Sequence, residues 1–284
     1  MKIGCLVSFS HLTTPEFIAG AAKLVEERGF HSLWVPEHVL FFPEYASKYP
    51  YADDGRLPGD PIGVMEPFVA LTYIAAHTKQ IRLGTGICLV PQRAPVYTAK
   101  LVADLDYLSG GRVDFGVGIG WLKEEFDALG IAFSERAART NECIELMQRL
   151  WCDDVSEYHG RFYDLPRSYM NPKPVQKPHP PVFFGGESEA ALRRVASHGQ
   201  GWYGFRLTPA MLAERLSKLD VELARVGRKR ADVQIFASPH GKANDSESFK
   251  AFRDLGVGQL LSPIGGRDLD SLARRADDLL AKAR

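Results

Sequence analysis

The sequence predicts an α/β chain folded as a single (β/α)8 TIM barrel, and three observations carry that expectation. Short β-branched, apolar runs alternate with amphipathic segments along the chain, giving eight strand candidates and about eight helices. The stretch 80–121, QIRLGTGICLVPQRAPVYTAKLVADLDYLSGGRVDFGVGIGW, places strand, loop, helix, turn and strand in close succession. Such a βαβ unit makes its two strands parallel neighbours joined by a right-handed crossover. With 284 residues and 45% hydrophobic content, the chain can bury one large core, so 1–284 is expected to form one domain. Strict alternation favours the closed barrel over an open, doubly wound sheet.

Each element has its own reason. The run 3–9 is an apolar strand, and 15–28 is a helix with Thr14 as N-cap, Pro15 at its first position and Gly29 beyond its end. Residues 32–36 form the second strand and lead into a Pro-, Gly-, Tyr- and Asp-rich segment, 37–64, too long for an ordinary connection and therefore a lid or substrate loop. After a helix at 65–77, the opening stretch supplies a strand at 81–90, a helix at 96–108 stopped by Ser109-Gly110-Gly111, and a strand at 113–119. A helix over 134–151 starts at Ser134 as N-cap. A second irregular insertion, 152–181, has six prolines in its last sixteen residues. The very short strand 182–184 follows, then helix 188–198, strand 201–205, helix 208–226, strand 232–237, helix 246–255, strand 257–261 and helix 267–282.

Composition narrows the function. With 35 acidic and 35 basic residues the net charge is zero, which favours neither nucleic acid nor an anionic membrane as partner. Cys5, Cys88, Cys143 and Cys152 have no CxxC spacing and read as reduced core thiols. The N-terminus begins at once as a strand, and no apolar run approaches a membrane span, so a cytoplasmic protein is expected. Metal catalysis is disfavoured because no HExxH or carboxylate-triad spacing occurs, and GxxxxGK[ST] and GxSxG are absent.

Seven motifs, in order, carry a resemblance: SLWVPEH at 32–38, TKQIRLGTGI at 78–87, RAPVYTAK at 93–100, LDYLSGGR at 105–112, GVGIGWLKEEF at 116–126, PPVFFGG at 180–186 and GQGW at 199–202. The chain resembles the bacterial luciferase-like monooxygenase family, and within it the branch of deazaflavin (coenzyme F420)-dependent oxidoreductases. The resemblance implies a luciferase-like barrel with insertion loops at its C-terminal mouth, a homodimer, and a flavin or 5-deazaflavin bound at that mouth. It implies hydride transfer between coenzyme F420 and a small organic substrate. The alternatives are an FMN-dependent monooxygenase using reduced flavin and O2, and a barrel that binds the cofactor without turnover. A phosphosugar lyase or isomerase is disfavoured because no strand ends in an obvious catalytic Lys.

Individual residues then take expected roles. His38, directly after the second strand, is the expected acid/base or oxyanion-stabilising imidazole, with the alternative of a His bonded to a loop carbonyl. Glu37 stands where many deazaflavin-using relatives have Asp and is expected to orient His38 or contact the ring edge. Thr85, Gly86 and Ile87 are expected cofactor contacts, with Gly86-Ile87 at the place where that branch often has a non-proline cis peptide; an ordinary glycine bulge is the alternative. Gly118 and Gly120 allow close backbone approach to a flat ring, and Trp121 offers a stacking face. Gly185, Gly186, Glu187 and Ser188 open a helix whose N–H groups suit the cofactor phosphate, or else form a plain capped turn. Ser109-Gly110-Gly111-Arg112 lies on the stability end of a barrel and reads as structural. The sugar-phosphate-oxidising relatives have a catalytic Glu where Trp121 stands, which disfavours that substrate. Glu124 or Glu125, one helical turn on, supplies a proton or is simply a helix N-terminal charge.

Overall fold

In the computed structural model, which describes residues 1–59 and 63–284, the apolar runs become the staves of a barrel. In chain order the first elements are β1 (Lys2–Leu6), α1 (Pro15–Glu27), β2 (Ser32–Val35), α2 (Pro67–His77), β3 (Arg82–Thr85), α3 (Pro95–Ser109) and β4 (Val113–Val117). Then come α4 (Lys123–Ala128), α5 (Arg136–Cys152), β5 (Ser156–His159), β6 (Asp164–Ser168), β7 (Val182–Gly185), α6 (Glu189–His198) and β8 (Gly201–Leu207). The chain closes with α7 (Pro209–Arg225), β9 (Gln234–Pro239), α8 (Ser246–Asp254), β10 (Gln259–Pro263) and α9 (Leu269–Lys282). Eight parallel strands close in the order β1-β10-β9-β8-β7-β4-β3-β2, while β5 and β6 pair separately. The expected (β/α)8 architecture is present, and every strand C-terminus meets at one mouth. Among the described residues, no helix is long and apolar enough to cross a membrane.

The barrel interior is aromatic. Trp34, Phe183, Tyr203, Phe236 and Leu261 fill it, with Leu6, Ile87 and Phe205 packed above them toward the mouth. Phe183 and Phe236 stack with ring centroids 4.2 Å apart, and Trp34 meets both edge-on at 5.9 Å. Trp34 is fully buried, and its Nε1 donates to Ser32 Oγ at 2.8 Å. Its bulk dictates the neighbouring sequence: a Cβ on Gly84 would lie 2.1 Å from the indole, and one on Gly116 would lie 2.6 Å from it. Gly84 in β3 is glycine because the indole fills the space over it, and Gly116 in β4 is confined by the indole together with the Thr85 carbonyl oxygen, 2.1 Å from where its Cβ would lie.

The local signals mostly act as expected. Thr14 caps α1 by accepting the Phe17 N–H at 3.2 Å. Gly110 ends α3 in the left-handed region at φ 70°. Arg112 is buried and donates to Ser109 O, Thr78 Oγ1, Ile81 O and Ala75 O, a structural role at the N-terminal end of the barrel.

Several boundaries differ. The strand expected over 81–90 stops at Thr85, after which Gly86-Ile87 is a cis peptide, Cys88 bridges Val117, and Val90–Gln92 is a 3-10 turn. Ser134 sits inside a 3-10 turn, Phe133–Glu135, and does not cap α5. The insertion 152–181 contains the antiparallel hairpin β5–β6, whose polar residues gave no alternating signal. Cys152 is exposed, unlike the other three cysteines. Of the segment 37–64, residues 60–62 lie outside the described residues.

The fit around Trp34 makes a checkable case. Gly84→Ala should cost about 1–3 kcal/mol by overpacking, lowering the urea midpoint with little change in slope. An unchanged midpoint would show that the indole has room to move.

Candidate active site

At the mouth, β2 delivers two consecutive acid/base residues in opposite directions. Glu37 is buried, and its carboxylate accepts the Leu89 N–H at 2.5 Å and pairs with Arg93, whose other Nη donates to Glu66 at 2.8 Å. Burial pushes the Glu37 carboxyl up, against the opposing pull of Arg93 and the Leu89 N–H. Its oxygens therefore tie β2 to the loop after β3. The expectation that Glu37 orients His38 is corrected: another carboxylate does so.

That carboxylate is Glu125. Its side chain is fully buried at the start of α4, and Oε2 lies 3.1 Å from His38 Nδ1. The same oxygen accepts from Gln92 Nε2 at 3.0 Å, while Oε1 accepts the Val39 and Leu40 N–H groups at 2.6 and 3.1 Å. Burial works against a charged Glu125, but the bonds from His38, Gln92 and Leu40 outweigh it and hold the carboxyl below its usual range. An ionised carboxylate only accepts, so Nδ1 carries the proton and Nε2 is the proton-accepting nitrogen of the neutral ring. Nε2 has no hydrogen-bond partner among the described residues. Phe41 and Trp121 flank the imidazole with ring centroids at 4.7 and 5.9 Å.

Neighbouring Glu124 does different work. It accepts the Ala46 and Ser47 N–H groups at 2.6 and 3.2 Å and the Ser47 hydroxyl at 2.7 Å. Burial opposes its charge, but the Ser47 hydroxyl and the backbone N–H bonds prevail and bring the carboxyl to about 2. The loop it tethers lays Tyr45 and Tyr49 edge-on against Trp121 at 5.8 and 5.2 Å, and Tyr51 against Phe205 at 4.9 Å. Trp121 is thus a hub between His38 and the loop. The sequence offered Glu124 and Glu125 as proton donors or as helix N-terminal charges and assigned neither to His38 or the loop; acidic residues at the first turn of a helix facing a long loop were the available signal.

The glycines divide. A Cβ on Gly118 would sit 1.9 Å from Ile87 Cδ1, and one on Gly185 would sit 2.9 Å from it, so both make room for Ile87. Gly120 has φ 76° and abuts Phe126. Internal packing and backbone conformation thus account for glycine at these positions, a reason the sequence reading of Gly118 and Gly120 did not contain. Thr85 is buried, and its hydroxyl donates to Gly116 O at 2.6 Å. Gly186 takes φ 98°, a conformation that favours glycine. The Gly186 and Ser188 N–H groups donate to no described residue, and those of Glu189 and Ala190 open α6 without intrahelical partners. Ser188 Oγ accepts the Ala191 N–H at 3.2 Å, and Glu187 Oε1 accepts the Phe205 N–H at 2.8 Å. The turn thus carries several N–H groups without a partner among the described residues, the donors a phosphate takes.

A cavity of about 460 Å³, lined by Lys2, Glu26, His31 and Gln80 among others, lies at the opposite end of the barrel. There Glu26 is occupied by the N–H groups of Lys79, Gln80 and Ile81, so the cavity belongs to the stability end.

The model of the luciferase-like monooxygenase family matches residues 1–249. The chain belongs to the luciferase-like monooxygenase family. It is 35% identical over 225 residues to protein Rv0940c of Mycobacterium tuberculosis, covering 78% of this chain and 74% of that one. It is 37% identical over 133 residues to an FMNH2-dependent dimethylsulfone monooxygenase of Pseudomonas putida, covering 46% of this chain and 36% of that enzyme. An F420-dependent secondary alcohol dehydrogenase, solved with an F420-acetone adduct, shares the fold at TM-score 0.79 and 16% identity, covering 100% and 99% of the two chains.

The Glu124 tether is testable by pH. Because the folded carboxyl titrates at about 2, below its ordinary 4.5, its stabilising contribution is full above the ordinary value and is lost as pH falls toward 2. Amide exchange at Ala46 and Ser47 should be faster in Glu124→Gln than in the parent from neutral pH down to about 4.5, with the gap closing below that. Equal exchange at neutral pH would remove the tether.

Proposed function

We propose that the protein transfers a hydride between bound coenzyme F420, a 5-deazaflavin, and a small organic substrate at the barrel mouth. The observation that carries the reading is the His38–Glu125 pair, a proton-transfer group fixed at Nδ1 and unengaged at Nε2. The deazaflavin assignment rests on the motif pattern around Glu37-His38, Gly86-Ile87 and 116–121, which resembles the F420 branch. The mouth fits such a group: Ile87 and Phe205 pack above the barrel interior, Trp121 stands beside His38 with Tyr49 against its far side, and the N–H groups of Gly186 and Ser188 to Ala190 suit the phosphate.

When bound, a 5-deazaflavin supplies a two-electron hydride acceptor or donor. His38 Nε2 takes the proton released as the substrate is oxidised, or returns it in the reverse direction. Glu125 keeps the ring in one tautomer and stabilises the imidazolium that forms. Trp121 and the tethered tyrosines exclude water from the reacting centre. The Pseudomonas putida relative favours a second reading, an FMN-dependent monooxygenase built on the same mouth.

His38→Ala should lower kcat by roughly 10²- to 10⁴-fold and leave cofactor affinity within about tenfold. Glu125→Gln should lower kcat in the same direction by a smaller factor. Full turnover in His38→Ala would end the acid/base assignment.

Fluorescence titration decides the cofactor. Coenzyme F420 should bind at least about tenfold more tightly than FMN, a gap of about 1.4 kcal/mol. Gly186→Val should weaken both phosphorylated cofactors far more than their dephosphorylated analogues. Tighter FMN binding with oxygen consumption during turnover would establish the monooxygenase instead.

A further inference from the structure

Arg206, at the C-terminal end of β8, alone among the described non-glycine residues has a left-handed backbone, at φ 55°. That conformation costs a residue with a Cβ stability and persists only where its surroundings enforce it. They do so here. The β8–β9 ladder is in register up to Gly204 and resumes only at Leu207, so Phe205 and Arg206 form a bulge. The Phe205 N–H is held by Glu187 Oε1 at 2.8 Å, and Leu207 O accepts the His240 N–H at 2.8 Å. A bulge of this kind re-aims a side chain out of the ladder.

Arg206 is half-buried, and its guanidinium makes no hydrogen bond or ion pair with any described residue. The nearby carboxylate, Glu187, is engaged by the Phe205 N–H and faces the Tyr51 hydroxyl, and the cation acting on it is Arg215. The loop meets this bulge directly, since Tyr51 packs edge-on against Phe205 at 4.9 Å and against Tyr49 at 5.6 Å, and the Arg206 charge counters the upward push of burial on the Tyr49 phenol. Tyr49 lies 5.2 Å from Trp121, and Trp121 lies 5.9 Å from His38, centroid to centroid. An aromatic wall therefore runs between an arginine and an imidazole nitrogen that are both without a partner among the described residues. A planar five-donor cation left unpaired in such a place matches an oxyanion.

We propose that Arg206 is a specificity-determining residue that binds the carboxylate or sulfonate of a substrate whose apolar body lies along Trp121 and Tyr49, with its reacting end toward His38. The orientation toward His38 rests on the proposed function; the anion site does not. A cofactor phosphate is the other source of an oxyanion, but the N–H groups of the Gly186 turn provide for it separately, and Arg206 sits against the loop tyrosine.

Calorimetric titration of benzoate, benzenesulfonate and neutral benzamide, with and without saturating cofactor, tests the site in the parent, Arg206→Gln, Arg206→Lys and Arg206→Gly. Both anions should weaken by about tenfold or more in the Gln and Gly variants and less in Lys, while benzamide shifts by less than about twofold. Arg206→Gly should also raise Tm by releasing the left-handed backbone, which separates lost recognition from misfolding. Equal anion binding in all variants, or a parent that does not prefer benzoate to benzamide, would overturn the proposal. So would a loss of cofactor affinity in Arg206→Gln with anion binding intact. If neither F420 nor FMN binds, the proposed function fails, and the cofactor-free titration still reads Arg206.

Discussion

Four hydrogen bonds converge on the buried carboxylate of Glu125, and the mouth is arranged around them. Its two oxygens receive an imidazole, a side-chain amide and two consecutive backbone N–H groups, joining the end of β2, the loop after β3 and the first turn of α4. A buried anion is tolerable only when it is surrounded by donors, so the groups around it are held as a set. Removing one would leave an unpaired charge in the interior. The catalytic candidate His38 thus inherits its orientation from a residue 87 positions away in sequence.

The same helix start also shapes the space above. Glu124, adjacent in sequence but pointing elsewhere, anchors the first half of the 37–64 loop through Ala46 and Ser47. Two neighbouring carboxylates at one helix N-terminus divide the labour between the imidazole and the loop after β2. Below them, the floor is set by bulk: Trp34 imposes Gly84 and, together with the Thr85 carbonyl oxygen, Gly116, and Ile87 imposes Gly118 and Gly185. Close packing in the floor and polar tethers in the loop suit a site that must be shaped yet admit ligands.

Backbone conformation at the rim points the same way. Gly186 adopts a positive φ with the residue type that favours it, whereas Arg206 adopts one with a residue type that resists it. The first opens the turn into α6, and the second lies in the bulge near the end of β8. Retaining an arginine where glycine would relax the chain is intelligible if the guanidinium is needed there.

The sequence by itself determined the barrel, the order of its strands, the capping of α1 and α3, and the placing of His38 and the Gly186 turn at one end. Those features follow from hydrophobic period, helix stop signals and the one-way rule that parallel strands end together, all of which are local or topological. Only the tertiary structure decided which carboxylate serves His38, why Gly118 and Gly185 are glycines, and where Arg206 stands. Glu37 is next to His38 in sequence, yet successive residues leaving a strand face opposite ways, so adjacency misassigned it. The hairpin of β5 and β6 was equally invisible, because its short polar strands are paired by backbone bonds that leave no periodic trace in side chains. Pairings across long separations depend on the closure of the barrel, and closure is a property of the whole chain.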